Sequence, residues 1–163
     1  MPLLVAASCS AGGGDGATPR GYVRMQAPAL SVARPGDWTK GPDASLPLSA
    51  QAPDRSALLE AVLDVSDHGS AGTLESISSA GALLRAKDYH RTGSKDIKVK
   101  GARAAHRTDY TFTDFRGAGG PGQGADIGVL GEDDHVHTVR ITWARGKLPR
   151  DVVDGIIGSI RVG

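Results

Sequence analysis

The stretch Ala125-Asp126-Ile127-Gly128-Val129-Leu130-Gly131-Glu132-Asp133-Asp134-His135-Val136-His137-Thr138-Val139-Arg140-Ile141-Thr142-Trp143 decides the fold. Its first six residues form a short apolar run, and Gly131 to Asp134 have turn composition. From His135 onward the chain alternates, with Val139, Ile141 and Trp143 on one face and Thr138, Arg140 and Thr142 on the other. After Arg145-Gly146-Lys147, the segment Leu148 to Ile160 places Val152, Val153, Ile156, Ile157 and Ile160 at helical spacing. A hairpin with one apolar face needs an apolar cover, and the closing helix is predicted to supply it.

Upstream, Ala104 to Asp114 reads as a strand with Ala104, His106, Thr108, Tyr110 and Phe112 on one face. Arg107, Asp109, Thr111 and Thr113 take the other. A glycine-rich loop, Gly117 to Gly124, joins it to the hairpin. Asp96 to Lys100 is a short strand, and Thr73 to Asp88 is a helix with Thr73 as N-cap and Arg85 and Lys87 near its end. Its predicted inner stripe is Leu74, Ile77, Gly81 and Leu84, flanked by Ala80 and Leu83. Gly81 in mid-helix costs about 1 kcal/mol relative to Ala, and close packing is the expected reason for it. Leu58 to Ser66 has a period of two and reads as a strand, although its Ala, Leu and Glu content also suits a helix. Thr39 to Arg55, with three prolines, reads as a loop holding one short extended piece, and Trp38 as a lid over the core edge. Tyr22 to Gln26 and Leu30 to Trp38 complete the set as short strands. Six to seven strands and two main helices without strand–helix alternation define an α+β fold with a mostly antiparallel sheet.

The chain has 163 residues, enough for one domain with a real core, and a net charge of +1 that excludes a globally basic nucleic-acid binder. Aromatic residues make up only 4%, so the core is expected to rest on Val, Ile, Leu and Ala. Cys9 is the single cysteine, which excludes an internal disulfide and a four-cysteine zinc site. Its surroundings, Leu3-Leu4-Val5-Ala6-Ala7-Ser8-Cys9, resemble the lipobox of a bacterial lipoprotein, in which the cysteine after the cut carries the lipid. Ala6 stands where Leu is usual, and the charged start of such a signal is missing, as it would be if the native start lay upstream. Residues 1–9 are thus assigned to a signal remnant, 10–21 to a flexible Gly-rich tether and 22–163 to the folded domain.

The order of these signals resembles that of PsbP-like domains. The residues that carry the resemblance are Leu30-Ser31-Val32-Ala33-Arg34-Pro35-Gly36-Asp37-Trp38, the central helix, the Gly101-started strand ending Tyr110-Thr111-Phe112, the long hairpin and the closing Gly158-Ser159-Ile160. It covers roughly Tyr22 to Val162 and is similar to the actinobacterial lipoproteins of the LpqN type. What the resemblance implies is an α/β/α sandwich that works mostly by binding proteins. No catalytic residue is carried over; Cys9 alone corresponds to the lipid-bearing position.

Candidate chemistry is sparse. Gly117 to Gly124 lacks the Lys-Ser/Thr and the following helix of a phosphate loop. His135 and His137 share one strand face, the spacing that lets both reach one metal, and His106 is the candidate third ligand on that face. A buried histidine pair is the competing reading. No nucleophile elbow is present. Arg85, Lys87, Arg91, Lys95, Lys98 and Lys100 form a basic stretch, read either as a solvated face or as a surface for anionic lipid or an acidic partner. The expectation is a non-enzymatic protein-binding or accessory lipoprotein on the extracytoplasmic face of a bacterial cell membrane, without cofactor or nucleic acid. The alternatives are a carrier of an apolar ligand or lipid between sheet and helices, and a metal-dependent enzyme at His135 and His137.

Overall fold

The computed structural model describes residues 14–117 and 120–163, so Cys9 lies outside the described residues. Among these, ten strands and two helices follow in the order β1 (Tyr22–Gln26), β2 (Leu30–Pro35), β3 (Thr39–Lys40), β4 (Leu48–Gln51), β5 (Ala57–Ser66), α1 (Leu74–Arg85), β6 (His90–Ile97), β7 (Ala104–Phe112), β8 (Gly122–Leu130), β9 (Val136–Ala144), α2 (Arg150–Gly158) and β10 (Arg161–Val162). The fold is α+β. A seven-stranded sheet runs β3-β4-β5-β9-β8-β7-β6 and a three-stranded sheet runs β1-β2-β10, with every strand pairing antiparallel.

The hairpin is the centre of the large sheet. Its odd-numbered residues Ala125, Ile127, Val129, Val139, Ile141 and Trp143 join Leu59 and Ala61 of β5 in one core, with Val153, Ile156 and Ile157 of α2 and Leu30 and Val32 of β2. α2 therefore closes the apolar face, as its spacing predicts. Ser159 locks it there: its buried hydroxyl donates to Ile156 O at 2.6 Å and accepts from Ala33 N at 2.8 Å. Trp38 belongs to this same core.

The opposite face of the sheet is not left to solvent. α1 lies over β7, β8 and β9, and the residues it buries are Leu74, Ser78, Ser79 and Ala82. The predicted stripe of Leu74, Ile77, Gly81 and Leu84 is thereby corrected. Leu74 alone of the four is buried, while Leu83 is 57% and Leu84 88% exposed. The reason is the surface beneath. Gly128 lets the helix come so near that a Cβ there would lie 3.0 Å from Ser78 Cβ and 3.2 Å from Leu74 O. Beyond Leu74, which packs on Leu130 and Val136 at the start of the helix, small side chains fit such an approach.

Three further expectations change. Thr39 to Arg55 contributes two strands, β3 and β4, rather than one extended piece. The strand expected at Asp96–Lys100 instead spans His90–Ile97 as β6, an edge of the large sheet. Residues 14–21, expected to belong to a free tether, lie against the domain. Gly16 N donates to Gly158 O, and Gly16 O accepts from Arg24 Nη2 at 2.7 Å and from Arg161 Nε.

Candidate functional site

The α1-facing side of the large sheet carries a polar row. Register places Thr108 of β7 beside Asp126 of β8, Asp126 beside Arg140 of β9, Arg140 beside Glu60 of β5, and Glu60 beside Ser49 of β4. Each lies on the α1-facing side of its own strand, so four pairings bring together residues that the sequence scatters from Ser49 to Arg140. Asp126 is fully buried. It accepts from Arg140 Nε at 2.8 Å, from Arg140 Nη2 at 3.3 Å and from the Tyr110 hydroxyl at 3.3 Å.

Burial sets the electrostatics. It pushes the Asp126 carboxyl above its ordinary range against the pull of Arg140, and it drives the Tyr110 hydroxyl far up, with Asp126 adding to the effect. Burial also opposes the Arg140 cation, but the Asp126 carboxylate outweighs it and holds the guanidinium charged. Glu60, half-buried, is raised by the same desolvation, and Arg140 is its nearest counterweight.

The row opens into a cleft of about 290 Å³ below the C-terminal half of α1. Its floor is Arg140, Thr142 and Glu60, and its wall is Tyr110, Phe112 and Phe115, with Arg85 and Arg116 at the rim. The wall continues as an aromatic row: Tyr89 stacks on Tyr110 at 4.9 Å between centroids, Tyr110 meets Phe112 at 5.9 Å, and Phe112 meets Phe115 at 6.2 Å. Both phenylalanines and two of the three tyrosines of this aromatic-poor chain gather here. The glycines of β8 make the row fit, because a Cβ at Gly122 or Gly124 would occupy the Phe112 or Tyr110 ring. α1 contributes Gly81, whose missing side chain would stand 2.9 Å from Arg140 Nη2 and 3.1 Å from Nη1. Close packing over a guanidinium is thus the physical reason for the mid-helix glycine.

His135 and His137 do meet, and they meet at Asp64. A bulge between Val62 and Ser66, with Asp64 at φ 52°, turns this residue toward them. Asp64 N donates to His137 Nδ1 at 3.0 Å, and Asp64 Oδ1 lies 2.8 Å from His135 Nδ1. The hydrogen bond to Asp64 raises the His135 pKa, whereas burial lowers that of His137. His137 is therefore a neutral histidine whose Nδ1 is already occupied as an acceptor. His106 does not share their face. It pairs with Gly128, which pairs with Thr138, so it stands on the α1 side, bonded to Asp96 at 2.8 Å and Ser94 at 2.8 Å. Among the described residues no three His, Cys, Asp or Glu side chains are placed to hold a metal ion.

The basic stretch divides. Arg85 stands at the cleft rim and Arg91 pairs with Glu75 of α1. Lys95 lies on the edge strand β6, and Lys87, Lys98 and Lys100 are exposed between elements. Charged residues along an exposed sheet edge oppose pairing with other chains. Asp126, Arg140, Glu60 and the aromatic row were not singled out from sequence. Asp126 in an otherwise apolar strand was the available signal, since a lone carboxylate there requires a buried partner.

No protein-family model and no curated protein matches the chain. Among solved structures, one from Bacteroides thetaiotaomicron VPI-5482 is similar at 14% sequence identity with a TM-score of 0.49. That match covers 82% of this chain and 45% of the other, so the chain spans less than half the length of that neighbour.

Proposed function

We propose that the chain is a non-enzymatic, lipid-anchored protein of the bacterial cell envelope, acting as a protein-binding or accessory module through the outer side of α1. The observation that carries this reading is the inverted helix. Its small residues face the sheet, and Leu83 and Leu84, 57% and 88% exposed, face solvent side by side. Val62 and Val65 of β5 are exposed on the same molecule at 40% and 38%. Adjacent large apolar side chains in water are a contact surface in search of cover, and the exposed Lys87 beside them supplies a polar rim. The lipobox-like sequence at Cys9 and the resemblance to LpqN-type lipoproteins support the address.

Fractionation and intact mass of the protein produced from its native locus test that address. A chain beginning at Cys9 with diacylglycerol mass, membrane-bound only while Cys9 is present, is the expected result. An unmodified chain in the soluble fraction that behaves identically as Cys9→Ala overturns it. The aromatic cleft favours a second reading, a carrier whose ligand sits between sheet and helix. Native mass spectrometry of freshly purified protein separates the two: a co-purifying small molecule supports the carrier, and a bare chain supports protein binding.

A further inference from the structure

The geometry points to the cleft under α1 as a binding site for a small molecule that joins an acidic group, carboxylate or phosphate, to a flat apolar body. Arg140 is the anchor. Its Nε and Nη2 face Asp126, which fixes the guanidinium plane from below. Its outer edge borders the cleft beside Gly81, whose lack of a side chain leaves Nη1 and Nη2 uncovered there. A guanidinium so held is pre-organised for bidentate recognition of an oxyanion and gives up little entropy on binding.

The charge balance of the lining selects an anion. Arg85, Arg116 and Arg140 face the same space, and all three act on the Glu60 carboxyl. Of the acids present, Asp126 is committed to Arg140 and Tyr110, while Glu60 and Asp114 line the cleft itself. Burial raises the Glu60 carboxyl above its ordinary range, with Arg140 opposing it. The cleft lining thus holds three guanidiniums, Arg85, Arg116 and Arg140, against two carboxyls, Glu60 and Asp114.

The wall selects the rest of the ligand. Phe112 and Phe115 present apolar surface beside the charged floor, and Arg116 lies over the Phe115 ring at 5.8 Å. A flat ring system slots beside such a wall by stacking. The volume, about 290 Å³, sits at the lower end of the roughly 300–1,000 Å³ typical of small-molecule sites. A one- or two-ring acid matches that volume. The inference narrows the carrier reading and is independent of what binds the outer side of α1.

Titration of the full chain with 2-naphthoate, 2-naphthyl phosphate, neutral 2-naphthamide and inorganic phosphate, followed by amide chemical shifts, tests it. Saturable shifts at Gly81, Arg140 and Thr142 are expected with one or both naphthyl anions, with the amide and inorganic phosphate binding at least tenfold more weakly. Better binding of naphthoate or of naphthyl phosphate identifies the acidic group. Gly81→Leu, which fills the space above Arg140, should abolish the shifts. Arg85→Glu, at an exposed rim position, should weaken binding at least fivefold, while Arg85→Gln, which spares the helix end a negative charge, should weaken it in the same direction with a Tm within about 4 °C of the parent. Amide binding as tight as naphthoate would overturn the acidic anchor while leaving an apolar carrier site. Inorganic phosphate binding as tightly would overturn the flat body, and no saturable shift with either anion would overturn the site altogether.

Discussion

Replacing Asp126 by alanine tests the buried ion pair on which the α1-facing side of the sheet is built. The substitution takes away the buried carboxylate that Arg140 faces and leaves the guanidinium, largely buried at the cleft floor, with only the half-buried Glu60 beside it; arginine cannot escape by losing its proton. Breaking a buried pair in this way costs about 3–5 kcal/mol, a large part of the roughly 5–15 kcal/mol that holds a typical domain together. For a chain of this length, each kcal/mol moves Tm by about 2–4 °C, so Asp126→Ala should lower it by roughly 6–20 °C. Arg140→Met should be milder. Asp126, already raised by burial, can take up a proton and become neutral. The sign follows from linkage: a folded-state pKa above the unfolded one stabilises below the unfolded value, about 3.9, and that stability is lost as pH rises. Arg140→Met should therefore recover stability between pH 7 and pH 4, whereas Asp126→Ala should not. The double variant Asp126→Leu/Arg140→Met removes both charges and should come within about 1–2 kcal/mol of the parent. Urea unfolding followed by the fluorescence of the two buried tryptophans, Trp38 and Trp143, reads all four chains. An Asp126→Ala cost below about 1 kcal/mol, or a double variant as damaged as the sum of the singles, would refute the reasoning.

The two histidines on Asp64 should act with opposite sign. His137, lowered by burial, contributes stability that is complete above about pH 6.5 and is lost as pH falls through its folded value, so His137→Gln should flatten the acid side of a stability–pH curve. His135, raised by its bond to Asp64, contributes below about pH 6.5 and loses that contribution as pH rises through its folded value; His135→Asn should flatten that side instead. Identical curves for both variants would remove Asp64 as their common partner. Gly128→Val should destabilise by about 1–3 kcal/mol in a denaturant titration, because the added carbons meet the backbone of α1 rather than a flexible side chain. Leu84→Lys should change stability by less than about 0.5 kcal/mol by the same titration, and a larger loss would place Leu84 in a packed interior.

Where alternation is strong, sequence and structure agree. β7 and β9 carry the residues predicted on each face, and α2 buries Val153, Ile156 and Ile157 as its spacing requires. α1 misleads because two of its three leucines, Leu83 and Leu84, are not among the residues it buries. The inner face is chosen by Gly128, Asp126 and Arg140 beneath it, which are more than 40 residues beyond the helix in the chain. The cleft was illegible for a related reason. Asp126, Arg140 and Glu60 become neighbours only through the registers of three strands, and alternation gives a face but no register. The Asp64 bulge breaks a period-two strand at a residue that is ordinary in composition, so the meeting of His135 and His137 with it was equally out of reach. β3 and β4 are two and four residues long and flanked by prolines, too short for periodicity to register.

The central claim, that the outer side of α1 is the working surface of an envelope-anchored binding module, is tested most directly by photo-crosslinking in intact cells. A photoreactive side chain at Leu84 is compared with one at Val23, which is also exposed but lies on the three-stranded sheet. A discrete adduct with an envelope protein from position 84, absent from position 23 and lost together with membrane association in Cys9→Ala, is the result the account predicts. No adduct from position 84, or the same adducts from both positions, would contradict it.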